Sequence, residues 1–324
     1  MTPVIELCGN HPGGNRIFMK RDDLLPYALG GNKVRIALEF MKDMETTGAD
    51  AMVIYGDLRS NLCRVLALMC AGRGIPAVMA ASDASGEHGG GPSFNEILIR
   101  QSGVRIVPAR KGMIAGAVDE AMRLLEKEGR KPYYIYGSRL GTGRENVPVR
   151  AYRKVYDEIS EQCLRDGRMI DLIALPCGTG ATLAGLAVGR AAHIHGNGFL
   201  RDTKILGISI SSRDEQRARE AVRASVEAGL SEEELPPLSH FPDLCELTCA
   251  YNAGGYGIAN GKIRSVMRYL WTEYGVPSDP TYSAKAFSGL LDYLSDRGIS
   301  GKSILFLHTG GTPLFYDELR KGAF

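Results

Sequence analysis

Asp171-Leu-Ile-Ala-Leu-Pro-Cys-Gly-Thr-Gly-Ala-Thr182 reads as a short strand over 171–176, a glycine turn, and the start of a helix over 181–195. The turn sets Gly178, Thr179 and Gly180 at a helix N-terminus, where free N–H groups and the helix dipole suit an anion such as a phosphate. A dinucleotide fingerprint would need a third glycine three residues after Gly180, but position 183 is Leu and the next glycine is Gly185. Gly301-Lys-Ser303 fails as a P-loop as well, because position 296 is Asp and a strand, not a helix, follows.

The same strand, turn and helix order repeats on either side. Upstream, strands are expected over 16–20, 51–55, 76–81, 105–108 and 131–136, with helices over 34–46 and 60–70 and from about 93 and 113. A long amphipathic helix over 149–164 precedes the quoted stretch; after it come a strand over 204–210 and a charged helix over 213–228. Residues 229–260 are rich in Pro and Gly and read as irregular, followed by helices over 262–274 and 282–294 and a last strand over 303–307. Alternation of this kind predicts an α/β chain with mostly parallel sheets and helices on their faces. At 324 residues the chain is long for one core. Two open αβα-layered domains are therefore expected, residues 1–45 with 146–324 as the large one and 46–145 as the small one, with a ligand in the cleft between them.

Composition narrows the partners. A net charge of +2 and 23% charged residues give no electrostatic case for nucleic acid or membrane, so a small molecule is favoured. Seven cysteines without C-x-x-C spacing support neither a disulfide framework nor a zinc site. His193 and His195 point to different faces of one helix and read as surface residues, so no metal is expected. The N-terminus has no signal-peptide pattern, and a cytoplasmic location is expected.

Chemistry centres on Lys20-Arg-Asp-Asp-Leu-Leu-Pro-Tyr-Ala-Leu-Gly-Gly-Asn-Lys-Val-Arg35. Gly30 and Gly31 allow a sharp turn that presents Lys33 at the start of an apolar helix, where partial desolvation would lower its pKa and free an amine able to form a Schiff base. On these residues alone, a solvated surface lysine fits better. Three further loops stand at strand ends with it: Gly56–Asn61, Pro176–Thr182 and His308–Gly311.

Taken together, Lys20-Arg-Asp-Asp, Gly-Gly-Asn-Lys33-x-Arg, Arg-Ser60-Asn61-x-x-Arg64, Gly-Thr179-Gly180-Ala-Thr182, Gly255-Tyr-Gly257, Asp279-Pro-x-Tyr282-x-x-Lys285 and His308-Thr309-Gly-Gly-x-Pro resemble one family across nearly the full chain. It is the D-cysteine desulfhydrase and 1-aminocyclopropane-1-carboxylate deaminase group of pyridoxal 5'-phosphate enzymes, with the tryptophan synthase β-like fold (fold type II). The resemblance implies that Lys33 holds the cofactor as a Schiff base and moves protons, and that Asn61 hydrogen-bonds its phenolic oxygen. Ser60 would bind the substrate carboxylate or assist proton transfer. Gly178, Thr179, Gly180, Ala181 and Thr182 would cradle the phosphate, Tyr282 would lie over the ring and act in catalysis, and Thr309 would reach the pyridine nitrogen. A neutral hydroxyl at that nitrogen favours elimination over transamination. The resemblance also implies a homodimer.

Departures from the family pattern shape the expected activity. Ring-opening deaminases of the group resemble one another in a Glu after the tyrosine, where this chain has Ser283, so elimination from a small D-amino acid to a keto acid and ammonia moves ahead of ring opening. Leu62 and Ile36 replace a usual His and a basic residue, and residues 84–92 and 137–146 differ from the usual runs. Arg59 stands where a neutral Gln is typical; with Arg139 and Arg144 it would favour an anionic substrate, although solvated loop arginines fit equally well. Tyr256 fits loop structure or substrate contact, Lys285 a structural role, Tyr133, Tyr134 and Tyr136 strand packing, and Cys177 a small buried hydrophobe. The expected function is a pyridoxal-phosphate lyase. A β-replacement enzyme or a 1-aminocyclopropane-1-carboxylate deaminase is the near alternative, a non-catalytic pyridoxal-phosphate-binding protein comes from another class, and a nucleotide-binding enzyme is third.

Overall fold

A computed structural model describes residues 1–82, 91–109, 113–138, 141–212, 214–237 and 244–322. The chain divides into two compact units, Met1–Leu25 with Leu29–Asn32 and Pro148–Phe324, and Pro26–Ala28 with Lys33–Val147. The expected division kept residues 33–45 in the large body, whereas here they group with the smaller unit.

In the larger unit, β1 (Val4–Leu7), β2 (Arg16–Arg21), β7 (Leu172–Cys177), β8 (Lys204–Ser209), β9 (Glu246–Thr248) and β10 (Ser303–His308) form one sheet in the order β1-β2-β10-β7-β8-β9. Only β1 runs antiparallel, to β2. Alternate residues Ile17, Met19, Ala174, Leu206, Ile208, Ile304 and Phe306 share one face and pack on α8 (Gly261–Tyr274) and α9 (Ser283–Asp296) through Met267, Leu270, Phe287 and Leu290. The intervening residues Phe18, Ile173 and Leu305 are equally buried, and Gly207 lies against Leu183 of α6 (Ala181–His195) on that second face. Both faces are covered, which is why these strands read as apolar runs rather than alternating ones.

The N-terminal strand is anchored by a buried lysine. Lys20 Nζ donates to Thr2 O at 2.7 Å, to Gln162 Oε1 at 2.8 Å and to Glu158 of α5 (Asn146–Arg165). Differences from expectation lie in short elements. β1 and the three-residue β9 were not foreseen, nor was α10 (Thr312–Arg320), and α7 (Glu215–Glu232) runs four residues into the segment read as irregular. The four residues of β1 and the three of β9 carry too little periodicity to separate strand from loop. His193 is not a plain surface residue: its ring packs edge-on to Tyr156 with centroids 5.0 Å apart, and Nε2 lies 3.1 Å from Asp157 Oδ1.

In the smaller unit, β3 (Ala51–Gly56), β4 (Ala77–Ala81), β5 (Arg105–Pro108) and β6 (Pro132–Tyr134) are all parallel, in the order β5-β4-β3-β6. They are accompanied by α1 (Asn32–Thr46), α2 (Asn61–Gly72), α3 (Phe94–Gln101) and α4 (Ile114–Lys127). Among the described residues of the whole chain, no helix is long and apolar enough to cross a membrane.

Arg144 departs from the substrate-facing role considered for it. Its guanidinium sits 3.9 Å from the Tyr133 ring centroid, with Nε 3.1 Å from Asp43 Oδ2 and Nη1 donating to Tyr134 O at 2.8 Å. Tyr133 OH donates to the same Asp43 oxygen at 2.8 Å, so the pair staples the end of β6 to α1. Arg139 and residues 84–90 lie outside the described residues. A stacked, half-buried and charge-assisted arginine contributes about 1–2 kcal/mol. Arg144→Leu is expected to lower stability by about that amount in urea unfolding, with Arg144→Lys recovering only part of it.

Candidate functional site

The larger unit brings three of the four predicted loops together. Gly30 (φ 66°) and Gly31 (φ 94°) close a left-handed run that begins at Ala28 (φ 44°) and Leu29 (φ 62°). A Cβ on Gly30 would stand 1.9 Å from Asp23 O, so only glycine passes there. Gly31 N donates to Asp22 O at 2.8 Å, and Asn32 N donates to Thr309 O at 3.0 Å. Asn32 Nδ2 donates to Thr182 Oγ1 at 2.9 Å. The residue just before Lys33 is thereby tied to both the loop after β10 and the first turn of α6. Asn32 was given no role from sequence, although it stands inside the Gly-Gly-Asn-Lys motif.

At the start of α6, Gly180 takes the cap position with φ 99° and, as a glycine, supplies no side-chain cap of its own. Thr182 is buried, Thr179 is exposed, and Cys177 is a buried residue at the end of β7. The Tyr282 ring reaches Gly178, with Cε1 3.6 Å from where a Cβ there would sit.

Tyr282 owes its placement to a buried carboxylate. Asp279, 0% exposed, accepts from the backbone N–H of Thr281 (2.9 Å), Tyr282 (2.8 Å) and Ser283 (3.1 Å) and from Ser283 Oγ (2.8 Å). Ser283 Oγ also accepts from Asp279 N at 2.8 Å. The side chain that replaces the deaminases' Glu is therefore turned inward and fully used. Burial raises the Asp279 pKa despite these donors. Tyr256 OH lies 3.0 Å from Tyr282 OH, the rings meeting edge to face at 5.9 Å. The Tyr256 loop is held from below by Lys285, whose buried ammonium donates to Gly255 O; burial lowers its pKa, partly offset by Asp279.

The smaller unit holds the remaining predicted residues. Lys33 is the second residue of α1 and half-buried. Ser60 caps α2, its Oγ accepting from Cys63 N at 3.3 Å, and Asn61 opens the helix. Asn61 Oδ1 accepts from Arg64 Nη1 at 2.7 Å. The Arg59 side chain is 43% exposed and turns back to Asp57, with Nε 3.5 Å from Oδ1. Ile36 is 1% exposed, in the core. Among the described residues no cluster of His, Cys, Asp and Glu could hold a metal.

The family profile described as "Pyridoxal-phosphate dependent enzyme" matches residues 1–310. A protein of Serratia proteamaculans (strain 568) named D-cysteine desulfhydrase is 30% identical over 311 residues, which is 94% of this chain and 88% of that one. A crystal structure described as the ACC deaminase homologue superposes with TM-score 0.79 at 26% identity, over 100% of this chain and 94% of that one. The fold alone is shared with O-ureido-L-serine synthase, at TM-score 0.65 and 16% identity over 99% of this chain and 92% of that one.

Proposed function

Because the chain belongs to the pyridoxal-phosphate-dependent enzyme family, we propose that it is a lyase that eliminates a β-substituent from a small D-amino acid, giving a keto acid and ammonia. The residues fit the cofactor. The glycine-capped N-terminus of α6, with its Gly178-Thr179-Gly180-Ala181-Thr182 turn, is a helix start suited to a phosphate, and the Tyr282 ring beside Gly178 offers a face to an aromatic ring. When bound, pyridoxal phosphate supplies an electron sink for charge developing at the substrate Cα. In this reading the Lys33 amine holds the cofactor and moves the Cα proton, the Asn61 amide meets its phenolic oxygen, and the buried Thr309 serves the ring nitrogen with a neutral hydroxyl. Ser60, at the start of α2, orients the substrate carboxylate. A homodimeric assembly, which the resemblance implies, and a cytoplasmic location belong to the same reading.

The observation that carries elimination over ring opening is the Asp279 turn. It draws Ser283 inward and leaves Tyr282 hydrogen-bonded to Tyr256, a pair of phenols able to relay a proton at the departing β-substituent. The test offers cofactor-loaded protein D-cysteine, L-cysteine and 1-aminocyclopropane-1-carboxylate and measures keto acid and sulfide. Keto acid with sulfide from D-cysteine, and none from the cyclopropane, is the expected result. Turnover of the cyclopropane instead would overturn the role given to Ser283, and keto acid from none of the three would sink the proposed lyase.

A further inference from the structure

The Asn61 amide belongs to a buried network whose directions are set by one arginine. Arg64, 1% exposed and one turn along α2, donates through Nη1 to Asn61 Oδ1 and to Asn95 Oδ1, both at 2.7 Å. Asn95, fully buried on α3, donates through Nδ2 to Asn61 Oδ1 at 3.0 Å and to Arg59 O at 2.7 Å. A guanidinium has donors and no acceptor, so both amides must turn their oxygens toward it. With Asn95 Oδ1 so engaged, its nitrogen is what faces Asn61 and the Arg59 carbonyl. Both lone pairs of Asn61 Oδ1 are then occupied, and what Asn61 has left to offer a ligand is its N–H₂ group.

We infer that Arg64 is a positioning residue that makes Asn61 an obligatory hydrogen-bond donor, and so sets the protonation state of the bound cofactor's phenolic oxygen. The inference rests on the proposal that Asn61 faces that oxygen. A donor at this point stabilises the deprotonated oxygen, whereas an amide free to present its carbonyl would stabilise the protonated form. Burial pulls the Arg64 pKa down only to about 10, so it remains a cation at neutral pH and its bonds keep their charge-assisted strength. Through Asn95 the same network holds the Arg59 carbonyl, which fixes the loop that carries Ser60.

The two protonation forms of the pyridoxal ring absorb at different wavelengths, so the test is spectroscopic and needs no turnover. Wild type, Arg64→Met, Arg64→Lys and Asn95→Ala are loaded with pyridoxal phosphate, and the ratio of visible to near-ultraviolet absorption is followed through a pH titration. Loss of a charge-assisted bond in Arg64→Met should move that ratio roughly tenfold toward the near-ultraviolet form. Arg64→Lys, which keeps a cationic donor, should fall between it and wild type. Asn95→Ala should shift the ratio less, in the same direction, and it carries the test should Arg64→Met fail to fold. In an Asn61→Ala background, Arg64→Lys should add no further shift. A purely structural role for Arg64 would reduce the fraction loaded without changing the ratio within it, and that result overturns the inference. A wild-type protein that takes up no cofactor would sink the proposed function itself, and the inference with it. A coloured wild type with spectrally unaltered variants removes the inference alone.

Discussion

Lys33→Ala should lower keto-acid release from D-cysteine by at least about 10³-fold and abolish the cofactor attachment that borohydride reduction makes permanent, as read by intact mass. The size follows from two losses at one atom. A positioned base contributes about 10²–10⁴-fold to proton transfer, and the same amine provides the covalent hold on the cofactor. The position is prepared for this work. Lys33 follows a left-handed Gly30-Gly31 corner and stands next to Asn32, whose backbone and side chain are bonded to Thr309 and Thr182. Only half-buried on the first turn of α1, it can be truncated without opening a core cavity, so the fold should survive. A small primary amine added to the variant should restore part of the rate, as expected when the missing group is a proton carrier. A loss of less than tenfold with attachment intact would show that another lysine holds the cofactor.

Much of the site was legible because its residues are local punctuation. Ser60 and Gly180 sit at helix starts that sequence alone locates, since a cap and a glycine turn mark the boundary whatever packs around them. The α/β alternation was legible for the same reason. What escaped depends on contacts between distant residues. Arg144 read equally well as a substrate-facing or a solvated loop cation, and its partner Asp43 is 101 residues away. Asn95 reaches Asn61 across 34 residues from a helix that carries no motif. Asp279 lay inside a recognised run, yet its work of seating Tyr282 depends on a turn that spacing does not specify. β9 was missed because Glu-Leu-Thr becomes a strand only through its pairing with β8.

Gly311→Ala should destabilise the protein by roughly 3 kcal/mol in urea unfolding and reduce turnover in the fraction that remains folded. Two costs add. Gly311 caps α10 at φ 101°, where an L-residue is strained by about 1–2 kcal/mol. The new methyl would also stand 2.2 Å from Asp279 Oδ2 and 2.6 Å from Cγ, and such overpacking costs about 1–3 kcal/mol. Asp279 has nowhere to retreat, because its oxygens accept three backbone N–H groups and the Ser283 hydroxyl. Any shift of that carboxylate moves the Tyr282 backbone, so the damage reaches the Tyr256 pair as well as the fold. Gly298→Ala separates the two costs. Gly298 is also left-handed, at φ 59°, but a Cβ there meets nothing within 4 Å, so the change should cost only the backbone share of about 1–2 kcal/mol. Equal losses for the two variants would mean that the Asp279 turn yields freely, and the rigidity attributed to Tyr282 would have to come from elsewhere. A larger loss at Gly311, with turnover falling further than the folded fraction, ties the seating of Tyr282 to the carboxylate beneath it.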